Sequence, residues 1–235
     1  MTIQQLKSMY YQILYVDPPW AFETYTAKGN EVMAGRGEER HYQCMSTEDI
    51  MDIPVNDLAD ENCALFLWTT GPHLKQALDV INYWEFHYKT MAFVWIKGEL
   101  HNPETRDKIK IANEIVDLHL GGIPIQKPPA HIKFEFGQGY WTRANAEYCL
   151  LATRGNPKRQ SASVSQIIFE PSQEHSKKPD CVRDKIVELM GNVPRIELFA
   201  RQKVEGWDSW GNEVDSDWEL IENHIGLPRF KKVVK

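Results

Sequence analysis

Asp17-Pro18-Pro19-Trp20 is the stretch of this sequence whose residue types are best suited to chemistry. The Asp17 carboxylate and the Pro18 carbonyl, held between two prolines, can accept two N–H hydrogen bonds, and the Trp20 ring can stack on a planar group. The exocyclic amine of adenine is a poor nucleophile, because its lone pair is delocalised into the ring. These contacts could hold the amine so that its lone pair points at an electrophilic methyl group. The carboxylate also stabilises positive charge that develops on the nitrogen. The motif therefore predicts a site that activates an aromatic amine, although a rigid corner would also explain the prolines and a packed Trp20.

The elements that position this motif are short apolar runs alternating with helical patterns. Strands are predicted at residues 11–16, 64–68, 90–96, 147–152, 166–169 and 195–200, and helices at 73–84 and 180–190, with a short helix capped by Ser46. Such alternation predicts an α/β fold with a mostly parallel sheet and helices on both faces. Ligands bind such a sheet beyond the carboxyl ends of its strands, and Asp17 follows one of those ends.

Two long segments interrupt the alternation. Residues 22–44 are interpreted as a mobile lid, and residues 97–139, with a helical pattern over 104–120, as an insertion. Both follow strand ends and carry basic residues, so we expect them to form the surface for the acceptor strand, although solvated surface charges would look the same. These basic residues are Arg36, Arg40, Lys127 and Lys133. The domain is expected to span 1–214, and the tail 215–235 is predicted to add a helix over 217–226.

Composition excludes several other classes of protein. The four cysteines lack any C-x-x-C spacing, which argues against a zinc site or a disulfide framework, and no metal is expected. Neither a signal peptide nor an apolar run of about 18 residues is present, so a cytosol-like compartment is expected. The net charge of −6 is unusual for a protein that binds nucleic-acid phosphates, so any phosphate contacts must concentrate in local basic clusters.

The chain resembles the adenine methyltransferases that carry a DPPW motif. This family includes the catalytic subunit of the eukaryotic messenger-RNA adenine methyltransferase and DNA adenine methyltransferases of bacteria and phages. The likeness covers about residues 11–214 and implies a Rossmann-like fold that binds S-adenosylmethionine. It implies that Asp17, Pro18, Pro19 and Trp20 are catalytic and that Asp17 also contacts the cofactor.

The resemblance also implies roles on the acceptor side of the site. Tyr42 would approach the target base, and three residues at strand ends would frame its pocket, namely Trp68, Trp95 and Lys97. A tryptophan at a strand end is as often an ordinary core residue, so Trp68 and Trp95 keep that alternative.

On the cofactor side, the resemblance implies a set of residues from three segments. Lys178, beside Lys177 and just before a predicted helix, would pair with the cofactor's carboxylate. The strand 195–200 would place three residues near the methionine and ribose, namely Glu197, Phe199 and Arg201. Asn212 and Glu213 would bond the ribose hydroxyls. Ala200 stands where the family has glycine.

These observations predict direct transfer of a methyl group from S-adenosylmethionine to the N6 amine of adenine in DNA. A compact chain without zinc-finger extensions favours a bacterial or phage enzyme, acting in the cytoplasm of the bacterium or the infected host. RNA adenine methylation is the alternative among enzymes, and a non-catalytic subunit of a methyltransferase complex is the alternative outside them. Nucleic acid is the expected partner, without a membrane, and a homodimer or heterodimer remains open.

Overall fold

The computed structural model describes residues 10–21, 44–100, 132–137, 141–173 and 177–233. Within these ranges the helices are α1 (Thr47–Met51), α2 (Leu74–Tyr83) and α3 (Cys181–Met190). The strands are β1 (Tyr11–Val16), β2 (Ala59–Thr69), β3 (His87–Leu100), β4 (Ile132–Phe134), β5 (Ala146–Arg154), β6 (Ile167–Glu170), β7 (Arg195–Leu198), β8 (Asp208–Trp210), β9 (Trp218–Glu222) and β10 (Pro228–Lys232).

The chain forms two compact units. The first comprises Met1–Val94, Glu147–Gln166 and Asp180–Lys235, and the second comprises Trp95–Ala146 and Ile167–Pro179. The insertion predicted over 97–139 falls within the second unit. The helical pattern at 104–120 lies outside the described residues, as does the predicted lid apart from Cys44.

The sheet of the first unit runs in the order β3-β5-β2-β1-β7-β8. β1 is parallel to both neighbours and β7 is parallel to β8, while β5 is antiparallel to β2. A central parallel strand is covered on both faces and needs a continuous apolar run, which β1 supplies with a buried stretch over 13–16. The predicted α/β fold with a mostly parallel core is thereby confirmed.

Helices cover both faces of this sheet. Leu14 and Val16 of β1 belong to the same buried cluster as Val80 of α2. Tyr15, between them, faces α3, where the guanidinium of Arg183 lies 5.7 Å from the tyrosine ring. Because successive side chains of a strand point to opposite faces, α2 and α3 lie on opposite sides of the sheet.

The register brings the carboxyl ends of four strands to one edge. Val16 is paired with Leu67 of β2 and with Leu198 of β7, and Leu198 is paired in turn with Trp210 of β8. The residues that follow these positions are therefore neighbours across the sheet. Asp17 is one of them, so the structure places it where an open α/β sheet binds its ligands.

The second unit is built on the last residues of β3. β4 is antiparallel to β3, with Gly98 opposite Phe134, and β6 also pairs with β3. The ring of Phe134 meets that of Phe169 edge-on at 6.4 Å. A Cβ on Gly98 would come within 2.8 Å of the Lys133 carbonyl oxygen, so this close pairing requires glycine.

The predicted helix over 217–226 is wrong. The tail forms an antiparallel hairpin of β9 and β10, whose turn places Gly226 at φ 80°, a left-handed conformation that favours glycine. The Asn223 side chain accepts hydrogen bonds from the backbone of Ile225 and Leu227, which stabilises the turn against helix. Trp218 and Phe230 anchor the hairpin in the buried core.

Candidate active site at the carboxyl edge of the sheet

Backbone hydrogen bonds hold the Asp17-Pro18-Pro19-Trp20 corner in place. Trp20 N donates to Pro18 O at 2.9 Å, and Met45 N donates to Pro19 O at 2.8 Å. Trp20 and Met45 form an isolated parallel bridge, in which Ala21 N donates to Met45 O at 3.2 Å. A carbonyl oxygen has two lone pairs, so Pro18 O keeps an acceptor position besides this bond. Asp17, at the start of the corner, is half-buried.

Trp20 packs into the protein beneath this corner and is only 7% exposed. Its indole N–H donates to the Trp68 carbonyl at 3.0 Å, and its ring is stacked on His73, with centroids 5.8 Å apart and planes inclined by 17°. His73 Nε2 lies 2.9 Å from the Ala21 carbonyl, which can only accept, so this nitrogen carries the hydrogen. His73 Nδ1 then accepts from the Thr70 hydroxyl at 2.9 Å. His73 thus supports the ring and the backbone of the corner together.

Glu197 of β7 forms a buried ion pair with Arg183 of α3. Arg183 Nε and Nη2 each donate to a different oxygen of Glu197 at 2.7 Å, and both side chains are less than 9% exposed. Arg183 Nη1 donates further to Asp180 Oδ1 at 2.9 Å. A bidentate pair of this kind fixes both side chains, so Glu197 holds β7 and α3 together at the edge of the sheet.

The electrostatics of this pair involve Asp17. Burial raises the pKa of Glu197, the Arg183 bonds oppose that rise, and the charge of Asp17 reinforces it. Burial alone would lower the pKa of Arg183, but the hydrogen bonds and charge of Glu197 outweigh it and raise this pKa above its ordinary value. In the pairing of β7 with β1, Glu197 lies opposite Tyr15, which stands two residues before Asp17 in the chain, and Arg183 balances the Glu197 charge.

The turn after β7 is strained and closely packed. Phe199 has φ 60°, in the left-handed region that is unusual for a residue other than glycine, and its ring meets Trp210 edge-on at 5.3 Å. A Cβ on Gly211 would come within 2.3 Å of the Ala200 carbonyl oxygen. The close backbone approach next to Ala200 is therefore made possible by Gly211 on the neighbouring strand.

Exposed polar groups follow Gly211 at the same edge. Asn212 and Glu213 are exposed, and Glu213 Oε1 lies 4.0 Å from Arg201 Nε. Their exposure leaves amide and carboxylate oxygens accessible to hydroxyl groups of a ligand. Four of the residues predicted for the cofactor side after β7 and β8 therefore stand on two adjacent turns, and Glu197 lies inside the strand.

The residues predicted for the acceptor side have different surroundings. Trp68 is fully buried and donates its indole N–H to the Tyr15 hydroxyl at 2.8 Å, so its side chain packs in the core. Trp95 and Lys97 belong to the second unit. The Trp95 indole N–H donates to the Glu170 carbonyl at 2.8 Å, and the Lys97 ammonium lies 4.9 Å from the Trp95 ring centre. Tyr42 lies outside the described residues.

Lys178 is half-buried and also belongs to the second unit. In the chain it stands two residues before Asp180, the N-terminal cap residue of α3. Lys177, the other candidate for the same role, is half-buried as well.

Sequence reasoning missed two residues of this site, His73 and Arg183. The signal for Arg183 was a basic residue among the apolar positions of α3, one residue after Val182 and three before Ile186, where a long side chain can turn inward. No local pattern marks His73, because its partners are brought together only by the fold.

The described residues contain no group of His, Cys, Asp and Glu side chains arranged to hold a metal ion. Among the same residues, no helix combines the length and apolar character needed to cross a bilayer.

A mostly parallel α/β sheet with an acidic corner and exposed polar groups at its carboxyl edge is typical of enzymes with a Rossmann-like fold. The chain belongs to the MT-A70 family, whose model matches residues 11–121 and 123–213. This confirms the predicted family and fold class, and with them the enzyme class of adenine methyltransferases.

The chain is similar to methyltransferases of two kinds. It is 28% identical to the type II methyltransferase M.MunI of Mycoplasma sp, over 95% of this chain and 84% of that protein. It is 22% identical to the human N(6)-adenosine-methyltransferase catalytic subunit METTL3, over 94% of this chain and 31% of METTL3. It is also 22% identical to the N(6)-adenosine-methyltransferase MT-A70-like protein of Arabidopsis thaliana, of which it covers 24%. The chain therefore spans most of M.MunI but less than a third of these eukaryotic relatives.

Proposed function

We propose that this methyltransferase transfers the methyl group of S-adenosylmethionine to the N6 amine of adenine in DNA. The observation that carries the proposal is the Asp17-Pro18-Pro19-Trp20 corner, fixed by hydrogen bonds at the carboxyl edge of the sheet. Similarity to M.MunI over 84% of that protein's length favours DNA over RNA. The intact motif argues against a non-catalytic subunit.

The donor set at the edge fits a nucleoside cofactor with a positively charged sulfur. Asn212 and Glu213 offer exposed acceptors for ribose hydroxyls, and the close approach of Gly211 to Ala200 keeps the turn clear of a Cβ. Asp17 and Glu213 supply negative charge, which favours a cation. Lys178 would pair with the cofactor's carboxylate, and Phe199 with Arg201 would border the ribose. When bound, the cofactor supplies an electrophilic methyl group.

The corner would orient the acceptor amine by hydrogen bonding. The Asp17 carboxylate accepts one N–H and the remaining lone pair of Pro18 O accepts the other, so the nitrogen lone pair points away from both acceptors. In the transition state, the Asp17 carboxylate stabilises the positive charge that develops on nitrogen. The backbone bonds to the Pro18 and Pro19 carbonyls fix the corner that carries both acceptors, which lowers its reorganisation during the reaction.

The aromatic residues proposed to contact the target base differ in how exposed they are. Since Trp20 is 7% exposed and already stacked on His73, its main part in this proposal is to fix the corner, and any contact with the base uses its exposed remainder. Tyr42 is proposed to hold the base. Trp68, being fully buried, would act on the site through Trp20. In duplex DNA the base must also leave the stack, at a cost of a few kcal/mol.

The phosphate contacts that offset this cost are assigned to basic residues of the two long segments. Arg36, Arg40 and Lys127 lie outside the described residues, whereas the Lys133 side chain is 60% exposed, 3.5 Å from Glu99. Lys97 would contribute a further cation. The proposed setting is the cytoplasm of a bacterium or of a phage-infected host, with the enzyme as a homodimer or in a heterodimer.

Methyl transfer from isotope-labelled cofactor to matched DNA and RNA oligonucleotides, each with an adenine-free version, tests the proposal. We expect label in adenine-containing DNA only. Asp17→Ala should lower turnover about 10²- to 10³-fold and weaken cofactor binding far less, because Asp17 acts mainly in the transition state. Asp79→Ala on α2, an exposed acid, is the matched control and should retain activity. Near wild-type turnover of Asp17→Ala would exclude the catalytic assignment, and label in RNA alone would favour RNA methylation.

A further inference from the structure

The second unit presents two large aromatic side chains to solvent. Phe136 is 69% exposed and Trp141 is 91% exposed. Phe134, two residues before Phe136, is 42% exposed. Large aromatic side chains are usually buried, so exposed ones that lie close together in the chain are a common mark of a binding surface.

The backbone that carries these side chains is anchored. Lys97 N donates to Asn145 O at 2.8 Å, and Glu135 N donates to Lys97 O at 3.0 Å. Gly137 N donates to Ala144 O at 2.6 Å, where a Cβ on the glycine would approach to 2.8 Å. Residues 134–137 and 141–146, here called the aromatic arm, are thus tied to β3 and to each other. An anchored surface loses less conformational entropy on binding than a loose one.

The charges on the aromatic arm suit a polyanion. Arg143 is exposed two residues after Trp141, and the exposed Lys133, whose ammonium lies 3.5 Å from Glu99, directly precedes Phe134. The acid on the arm, Glu135, accepts hydrogen bonds from the backbone N–H of Ser172 at 3.2 Å through either oxygen. In a symmetric contact between two copies, the arm would face itself and bring like charges together, whereas nucleic acid offers both phosphates and base faces.

We propose that the aromatic arm binds DNA by stacking Phe136 and Trp141 on unstacked bases, with Arg143 on a phosphate. The identity of the nucleic acid as DNA rests on the proposed function. Extruding an adenine from the duplex breaks the stacking of its neighbours, and an aromatic ring can replace part of it.

Binding of a fluorescently labelled DNA duplex to the whole protein, followed by anisotropy, tests the inference without requiring turnover. Phe136→Ala and Trp141→Ala should each weaken binding about 5- to 150-fold. Trp141→Phe should retain most of the affinity, whereas Trp141→Leu should not, because stacking needs a planar ring. Tyr83→Ala is the matched control, since Tyr83 is 58% exposed on α2 of the first unit and should not affect binding.

The salt dependence separates the stacking and charge contributions. Arg143→Gln should lower the slope of log affinity against log salt by about one, and Trp141→Ala should leave the slope unchanged. Unchanged affinity in both alanine variants overturns the inference, and so does equal affinity of Trp141→Leu and Trp141→Phe. If the alanine variants lose a dimer that the wild type forms in sedimentation, while their DNA affinity is retained, the aromatic arm binds a second copy of the chain instead.

Methylation of the same duplex by the wild-type protein is scored separately. If the wild type binds DNA through the aromatic arm but does not methylate it, the proposed function fails and the inference holds. If it methylates DNA while the alanine variants bind as tightly as wild type, the inference fails and the proposed function holds.

Discussion

Removal of the Arg183 side-chain charge should destabilise the fold strongly, because it leaves the Glu197 carboxylate buried without its partner. Both groups are less than 9% exposed and share two hydrogen bonds of 2.7 Å. Breaking such a buried pair on one side costs about 3–5 kcal/mol. Since domains are stable by about 5–15 kcal/mol, Arg183→Met should lower the melting temperature by roughly 6–20 °C.

Urea unfolding followed by far-UV circular dichroism and tryptophan fluorescence measures this loss. Lys75→Met is the matched control, because the Lys75–Asp79 pair has a similar N–O distance of 2.8 Å but its lysine side chain is 87% exposed. The control should unfold like wild type, since exposed ion pairs contribute little. Adding Glu197→Gln to Arg183→Met should restore about 1–3 kcal/mol, because a buried amide costs less than a buried charge.

The stability of Arg183→Met should depend on pH in a direction set by the pKa of Glu197. Burial raises the pKa of Glu197 above its ordinary value of 4.5, and loss of Arg183 removes the group that opposes this rise. The folded chain then binds a proton more tightly than the unfolded chain, so stability falls as pH rises from the ordinary value through the raised one. The loss in free energy of unfolding caused by Arg183→Met should therefore be smaller at pH 5 than at pH 8. In the double variant with Glu197→Gln, this loss should not shrink with falling pH. A deficit as small as that of Lys75→Met, or one independent of pH, would refute the reasoning.

Two further variants test how the site is held and occupied. Lys178→Ala should weaken binding of S-adenosylmethionine about 10- to 100-fold in calorimetry, through loss of a charge-assisted hydrogen bond, while a loss confined to Lys177→Ala would assign that role to Lys177. His73→Ala should lower kcat with little change in cofactor affinity, because the corner loses its hydrogen-bonded support, and His73→Gln should recover part of kcat. Equal losses of kcat in both His73 variants would show that hydrogen bonding by His73 is not what supports the corner.

The sequence predicted the elements that depend on local patterns. The run at 11–16 and the helix closed by Gly191 were found in place, because apolar periodicity and helix-ending glycine act over a few residues. Strands were longer than predicted where pairing extends beyond the apolar run. β2 begins at Ala59, because Ala59 pairs with Tyr11 ahead of a register shift that precedes the pairing of Ala64 with Ile13. In the tail the sequence pattern predicted a helix, and the hydrogen-bonded turn at Asn223 produced a hairpin instead.

Residues of the site were predicted where a local pattern marks them and missed where only the fold brings their partners together. Asp17 could be predicted because motif and strand end are adjacent in the chain. The ring contact of Trp20 with His73 and the pairing of Glu197 with Arg183 join residues from separate elements, so their geometry depends on how α2 and α3 pack. The position of Arg183 among the apolar residues of α3 indicates that its side chain can turn inward, but neither it nor a histidine next to a helix start identifies its partner in one sequence.

The burial of Trp20 bears on how a DPPW corner works. A tryptophan exposed for stacking on a base would leave the corner to be held by the backbone alone, whereas this one commits its N–H and one ring face to the interior. What remains at the edge is the half-buried Asp17 and the Pro18 carbonyl, which the Trp20 N–H holds in place. Acceptors that are fixed in advance act on the transition state without a reorganisation cost, so within the proposed function we assign the corner mainly to orientation of the amine and less to stacking.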